Sequence, residues 1–337
     1  ALLHSVILQR ANGRDRLWTI VLTIIVFNLT ILATLITRTS VLSSVHAFSN
    51  TGMGFLFLVF MELALIIPLI LLYSRRHLFK SDLKPGTLFS KEGGLQAINI
   101  AFLATSAIVL LATLFPLVSE SIGGEKANLG PSFYNIVVGP ILLVIILLTG
   151  ICTLTGWKQE TALTLLRRFA LPLVISLILI ITLVLTTSLA GWAAFALAVC
   201  AFVICSVLIE AYRMVKARGQ IRGENPIKAL IGSLGASRSR YGAMIIHLGI
   251  ALIAIGVIGS SAYTAEREIS LFPGESTTLN QYTLTYDGLK DRSTPSMDIV
   301  TATLSVQNGG HFIGQLMPEK IFHRSFQQPV TEVAIHS

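Results

Sequence analysis

The sequence predicts an all-α polytopic membrane helix bundle with a small external β-domain near the C-terminus. Three observations predict this fold. Hydrophobic residues make up 53% of the chain and charged residues only 12%, against about 25% charged in soluble domains. The apolar residues form runs of about 20, the length that crosses a bilayer as a helix. After Tyr263 the runs give way to short segments that alternate apolar and polar residues, the pattern of strands.

Seven full transmembrane helices plus one partial helix are predicted. The partial helix, Ala1 to Gln9, is less than half the length of a span. The full helices are predicted at Leu17 to Ile36, Gly54 to Tyr73, Ala97 to Leu117, Tyr134 to Gly156, Leu171 to Thr187, Gly191 to Glu210 and Ala243 to Tyr263.

The formal net charge of +8 is interpreted as a consequence of how the chain is oriented in the membrane. Most of the 25 lysines and arginines lie in the short loops on one side of the predicted bundle, and positive loops face the cytoplasm. They form no basic stripe interleaved with aromatic residues, so no nucleic-acid partner is expected. The loop containing Arg38 and His46, and everything after Tyr263, then face the opposite side.

Two domains follow from this pattern, a helix bundle over residues 1–263 and an external β-domain over residues 264–337. Within the second, "YTLTYDG" and "TATLSVQNGGHFIGQL" read as strands, and Asn308-Gly309 is a hairpin signal. The chain begins without Met and stops at Ser337 inside a strand-like run. We therefore expect a fragment with a truncated β-domain.

His4 and His247 are the first candidate site residues. His4 lies six residues before Arg10 and His247 seven residues after Arg240. At 1.5 Å per residue, both imidazoles are expected roughly 10 Å inside the cytoplasmic boundary, on helices that run in opposite directions. Two histidines at equal depth suit a b-type haem with one axial nitrogen from each. The alternative is that each imidazole separately hydrogen-bonds a neighbouring helix.

Three further residues are candidates for chemistry. His46 lies outside the bilayer, where a solvated histidine is ordinary, and Arg38 is either an interface anchor or a clamp for a haem propionate. Glu62 is predicted near the middle of its span, where a carboxyl group is expected to be neutral or paired. It is either a proton relay or a structural hydrogen-bonding group. The three cysteines lie in apolar segments without metal-ligand spacing.

Five segments together resemble the CcmF family, the haem lyase subunit of the System I cytochrome c maturation machinery. They occur in the family's order, and the resemblance runs from the first residue to the last. It covers the latter half of a typical family member, without the first helices, the tryptophan-rich external motif and the closing helix. The segments are "ALLHS", "RTSVLSSVHAF", "GPSFYNIVVGP", "RYGAMIIHLGIALIAIGVIGSSAYTAEREISLFPGES" and "MPEKIFHRSFQQPVTEVAI".

The resemblance implies roles for three histidines. The family's two intramembrane ligands of a b-type haem fall on His4 and His247. The second external histidine, a ligand of the incoming haem, falls on His46, and its mate belongs to the part of the family sequence that is missing here. His46 and Arg38 are then the candidate catalytic residues.

The implied activity is haem ligation to c-type cytochromes at the periplasmic face of the bacterial inner membrane. Haem arrives transiently from the chaperone CcmE, and two thiols of apocytochrome c add across its vinyl groups. The b haem reduces the incoming iron, with quinol as the electron source. The implied partners are holo-CcmE, apocytochrome c and CcmH-type thiol subunits, besides membrane lipid.

Two other classes of function remain open on the residues alone. A proton-coupled secondary transporter would use the histidines and Glu62 for coupling, and an inverted repeat or broken helices would favour it. A quinol-oxidising cytochrome b subunit would be expected to show four haem-ligating histidines. Only His4 and His247 are predicted within the membrane.

Overall fold

The structure is a computed structural model that describes most of the chain in two compact units. The described residues are 1–13, 15–38, 53–79, 90–123, 127, 129–157, 161–187, 189–267, 269–323 and 330–335. The first unit holds residues 1–35 and 53–262, and the second holds residues 36–38 and the segment from Tyr263 onward. The first unit is helical and the second is built around a sheet.

Within the described part of the chain, seven helices are long and apolar enough to cross a membrane. The predicted fold class is therefore confirmed. Two shorter helices, α1 (Leu2–Asn12) and α8 (Pro226–Ala236), accompany them. The seven are α2 (Arg16–Arg38), α3 (Met53–Ser74), α4 (Lys91–Ser121), α5 (Pro131–Leu154), α6 (Ala162–Thr186), α7 (Gly191–Arg222) and α9 (Arg238–Tyr263).

Several helices are longer than their apolar runs. α4 begins at Lys91 because the Ser90 hydroxyl accepts a hydrogen bond from the Gly93 amide at 3.3 Å, which caps the helix N-terminus. α6 is capped in the same way by Thr161. α7 continues beyond its predicted end to Arg222 and stops where Gly223 adopts a φ of 64°. The apolar runs therefore predict which segments can span the bilayer, whereas the capping residues determine where the helices begin and end.

α7 is the central helix of the first unit. It packs against α5, α6 and α8, and a cluster of its buried side chains with those of α9 forms the largest part of the core. That cluster contains Phe202, Val203, Val207, Tyr241, Met244 and Ala251. A second α7–α9 cluster is built around Ala193, Ala196, Cys200 and Ile258. Helix α9, which carries His247, is therefore held mainly by α7.

The helices α5 and α7 approach closely at Gly150. A Cβ atom at this position would lie 2.8 Å from Cε1 of Phe202 and 3.2 Å from Cγ2 of Val203. Small residues at such crossings allow membrane helices to pack by van der Waals contact. Gly150 therefore sets the distance between these two helices.

The second unit contains an antiparallel sheet with β3 at its centre. β2 pairs along one edge of β3, and β4 and β5 pair along successive parts of the other edge. β1 extends the sheet beyond β2, and β6 extends it beyond β5. The strands are β1 (Ser276–Leu279), β2 (Tyr282–Ser293), β3 (Met297–Asn308), β4 (His311–Leu316), β5 (Glu319–His323) and β6 (Val330–Glu332).

The predicted hairpin joins β3 to β4. Its two turn residues are Gly309 and Gly310, with φ values of 56° and 84°, so the turn lies one residue later than Asn308-Gly309. Positive φ at both positions is the geometry of a tight hairpin turn and favours glycine. Ile299, Val306 and Ile321 are the buried hydrophobic residues of this unit.

Candidate functional site

His4 lies on the short helix α1, which packs against α4. Its imidazole contacts the ring of Phe102, with 6.0 Å between the ring centroids. On the same helix Ser5 and Leu8 are fully buried, and the Ser5 hydroxyl hydrogen-bonds that of Thr19 at 3.1 Å. These contacts hold α1 between α2 and α4 and orient the face that carries His4.

The Nδ1 atom of His4 is buried and makes no hydrogen bond. Buried polar atoms of native proteins are nearly always paired, so an unpaired one calls for an explanation. The His4 side chain as a whole is half-buried, so part of the imidazole remains accessible to a ligand. A neutral imidazole can give one ring nitrogen to a metal while the other donates its hydrogen to a partner.

His247 lies on α9 and is also half-buried. Tyr241, Met244 and Ala251 of the same helix fix α9 against α7. His4 and His247 therefore lie on different helices of the helical unit, and their action as a pair remains a prediction from the sequence.

The two histidines lie at matching positions along their helices. Counting 1.5 Å per residue, His4 is about 9 Å from Arg10 on α1, and His247 is about 10 Å from Arg240 on α9. Lys91 is close enough to His247 for their charges to interact. Its ammonium group also lies 5.6 Å from the ring centroid of Trp157. The first residue of α4, Lys91, thus places a positive charge near His247.

The pair is a bis-imidazole arrangement and not a chelating cluster. No group of three or more His, Cys, Asp or Glu residues that could hold a metal ion occurs in the described ranges. The cysteines Cys152, Cys200 and Cys205 are free. What the site offers is one imidazole from each of two helices in a largely apolar setting, and these two imidazoles are the residues that could hold a haem iron.

Glu62 is exposed on the surface of α3. It makes no hydrogen bond or ion pair with any described residue. The neighbouring helix α2 contacts α3 elsewhere, through the Phe27 and Phe60 rings and a 3.4 Å hydrogen bond from Asn28 Nδ2 to the Ala64 carbonyl oxygen. The structural alternative, a hydrogen bond from Glu62 to an adjacent helix, is therefore not found in the part of the chain that the structure describes.

The external candidates are Arg38 and His46. Arg38 is the last residue of α2. His46 lies outside the described residues. Their assignment remains a prediction from the sequence.

Asn99, a polar residue in the apolar run of α4, is not among the site residues that the sequence predicts. Its side chain is only 1% exposed, and neither its amide nitrogen nor its oxygen forms a hydrogen bond. A lone asparagine in the run "AINIAFLA" was a usable signal, because a polar side chain inside a membrane helix is costly and commonly functional.

Comparison with known proteins places these features in a family context. Residues 262–337 match the family model described as the CcmF C-terminal beta-sandwich. The chain is 30% identical over 336 residues to the cytochrome c-type biogenesis protein CcmF of Pseudomonas fluorescens, covering 99% of this chain and 49% of that protein. It is 27% identical over 341 residues to CycK of Rhizobium meliloti, covering 100% of this chain and 49% of that protein.

A solved structure, the cytochrome c heme lyase CcmF, shares the fold. The TM-score is 0.63 at 22% sequence identity, over 100% of this chain and 49% of the other. The likeness in structure concerns the fold alone. The chain spans about half the length of the curated relatives it matches.

Proposed function

We propose a function that proceeds from one premise: this chain belongs to the CcmF family. The matched relatives carry the name cytochrome c-type biogenesis protein, and the matched structure is named a heme lyase. We infer that the protein takes part in attaching haem to c-type cytochromes, and that this chain supplies a multi-pass membrane portion with seven spans and a β-domain. Family membership favours this function over a transporter or a quinol-oxidising cytochrome b subunit.

The residues for an internal b-type haem are His4 and His247. The observation that carries this proposal is that two half-buried imidazoles lie on different helices, six and seven residues from Arg10 and Arg240, a spacing that would place both at one depth. The buried, unpaired Nδ1 of His4 also fits a histidine whose other nitrogen serves as a ligand. A b-type haem bound there would supply one-electron transfer.

The protein's own contribution at this site is to hold and orient the two rings. Phe102 packs on the imidazole of His4, and the α7–α9 core fixes the backbone that carries His247. Both supports are apolar and belong to membrane-length helices. Burial of this kind and the identity of the axial ligands are the means by which a protein sets the haem reduction potential. We propose quinol as the electron source.

At the external face we propose that His46 ligates haem delivered by CcmE and that Arg38 contacts it. Each thiol of apocytochrome c adds its S–H across one vinyl double bond, which forms a thioether without any oxidant. The chain's share of this step is positioning. The location that goes with this chemistry is the bacterial inner membrane, with His46 and residues 264–337 on the periplasmic side and CcmH-type subunits as partners.

The proposal is tested in the full-length protein purified in detergent. We expect a low-spin b-type spectrum in the wild type and loss of most of the bound haem in His4→Ala and in His247→Ala, because each variant lacks one of the two imidazoles that would hold the haem. His311→Ala, at an exposed position in β4, is the control and should retain full haem content. Full haem and an unshifted spectrum in both intramembrane variants would show the assignment to be wrong.

The external step is tested separately with His46→Ala. We expect this variant to keep the b haem and to lose c-type cytochrome assembly, since His46 is predicted on the opposite side of the bilayer from that haem. Cytochrome c levels measured by haem staining report the result. Normal levels would remove His46 from the mechanism.

A further inference from the structure

Asn99 carries the strongest unexplained polar group in the helical unit. Its carboxamide is 1% exposed, and both the Nδ2 and Oδ1 atoms are without hydrogen-bond partners. A buried amide without partners destabilises a fold relative to an apolar residue of the same shape. Its presence in α4 therefore indicates a use that the polypeptide alone does not satisfy.

The neighbours of Asn99 identify that use. Asn99 and Phe102 are three residues apart in α4, so they share one face of the helix. Phe102 contacts the imidazole of His4, so this face is turned toward α1, which packs against α4. Asn99 therefore lies on the face of α4 that includes the contact with α1, and α1 carries another buried atom without a partner, Nδ1 of His4.

The depths of the two groups agree as well. Asn99 follows Lys91, at the start of α4, by eight residues, which corresponds to about 12 Å along the helix. His4 lies about 9 Å from Arg10 by the same measure. The Asn99 carboxamide and Nδ1 of His4 thus belong to helices that pack against each other, and the two residues lie at similar depth.

We propose that Asn99 is a positioning residue for His4: when Nε2 of His4 holds a haem, the side-chain oxygen of Asn99 accepts a hydrogen bond from the Nδ1–H group, a bond that these two atoms do not make in this structure. The bond would satisfy Nδ1 of His4 and Oδ1 of Asn99, and it would hold the ring in the tautomer that leaves Nε2 free for a metal. Histidine ligands are commonly oriented by an acceptor on their second nitrogen. The inference rests on the proposed b-type haem at His4 and His247 and adds the residue that orients one of its ligands.

The test uses the full-length protein, with hemin as the probe. Asn99→Leu removes the acceptor and keeps a similar volume, and we expect the hemin affinity to fall by about 10- to 100-fold, with a changed low-spin EPR spectrum and midpoint potential. Asn99→Asp keeps an acceptor oxygen and should restore most of the affinity. It should also lower the midpoint potential, because a carboxylate makes the imidazole a stronger donor.

A matched control is available in α2. Asn28 is another asparagine in a membrane helix, and its Nδ2 donates to the Ile24 carbonyl oxygen at 2.9 Å. Asn28→Leu should leave hemin affinity, EPR spectrum and midpoint potential unchanged. The thermal stability of the haem-free protein is the second control, since Asn99→Leu should leave it unchanged or raise it by removing a buried amide without partners.

The outcomes separate this inference from the proposal on which it rests. If His4→Ala and His247→Ala both retain haem, the proposed haem site is wrong. If those variants lose haem while Asn99→Leu binds hemin with wild-type affinity and potential, only the role of Asn99 is overturned. The same conclusion follows if Asn99→Leu destabilises the haem-free protein enough to account for its loss of hemin.

Discussion

Helices α7 and α3 are both apolar membrane-length segments, yet they differ completely in burial. More than half of the most apolar part of α7 is buried within the chain, whereas none of the corresponding residues of α3 are buried. Apolar content is therefore sufficient for a helix to enter the membrane but does not determine whether other helices surround it. A second property of the sequence separates the two.

That property is side-chain size. The residues of α7 with no exposed surface are small ones, namely Ala193, Ala194, Cys200 and Ser206. In α3 the exposed residues are large, such as Phe55, Leu56 and Ile70. Lipid tails solvate large apolar side chains as well as a protein core does, so helix association in a membrane depends on close van der Waals packing of small residues.

The largest expected effect compares one phenylalanine from each helix. Phe202 on α7 is 3% exposed, and Phe55 on α3 is 71% exposed. Phe202→Ala should lower the free energy of unfolding by about 3–5 kcal/mol, the usual cost of truncating a buried phenylalanine. Unfolding of the purified full-length protein with SDS in mixed micelles measures it.

Phe55→Ala is the matched variant and should change that free energy by less than about 0.5 kcal/mol. A cost similar to that of Phe202→Ala would contradict the comparison, because it would mean that α3 is packed in the full-length protein as tightly as α7.

The second prediction concerns the close approach of α5 to α7. Gly150→Leu should destabilise the protein by about 1–3 kcal/mol, because the new side chain would meet the Phe202 ring and Val203. Gly139→Leu in the same helix is the control, since no heavy atom lies within 4 Å of a Cβ placed there. Equal stability of the two variants in the SDS titration would argue against tight packing at Gly150.

The third prediction concerns Glu62, the acidic residue of α3. If Glu62 relays protons during quinol oxidation, Glu62→Gln should slow quinol-driven reduction of the b haem by roughly tenfold, or about 1.4 kcal/mol in the barrier. Haem content and stability should not change, since the substitution preserves shape and Glu62 has no bonded partner among the described residues. Stopped-flow reduction measures the rate, and a wild-type rate would exclude the relay.

The smallest expected effect lies at the C-terminal end of α7. Arg218 Nε donates a hydrogen bond to Glu224 Oε2 at 2.8 Å, and this bond holds the pKa of the Glu224 carboxyl below its ordinary value of 4.5. The pair therefore contributes stability above about pH 4.5, and the contribution is lost as the pH falls through the lowered pKa.

Glu224→Gln should remove that pH dependence. The loss of stability between pH 5 and pH 3 should be slightly smaller in the variant than in the wild type, as measured by thermal unfolding. Identical pH profiles would show that this exposed pair contributes nothing measurable, which is common for surface ion pairs.

Much of the fold was predictable from the sequence, and the exceptions have physical causes. The spans were predictable because about 20 apolar residues are needed to cross a bilayer. Helix α8 was not predicted, since it is too short to span and begins at an Asn225 cap whose Oδ1 accepts from the Lys228 amide at 2.9 Å. The extension of α7 to Arg222 was missed because a helix that leaves the membrane becomes polar without ending.

The candidate site divides in the same way. The sequence predicts His4 and His247 as a pair because their distances from Arg10 and Arg240 would place both at one depth. The proposed role of Asn99 could not be predicted in this way. It depends on which faces of α1 and α4 are in contact, and sequence spacing along separate helices carries no information about that rotation.

The sequence by itself determined that this is a seven-span membrane chain with a β-domain, because bilayer thickness and strand alternation impose periods that residues must follow. It also predicts one depth for His4 and His247, through the constant rise of a helix. Only the tertiary structure decided that α7 is enclosed while α3 is exposed, that Gly150 sets a helix crossing, and that Asn99 is buried without a hydrogen-bond partner on the helix that packs against α1. These depend on packing between segments distant in sequence, where the fit of side-chain shapes selects one arrangement among many that are equally apolar.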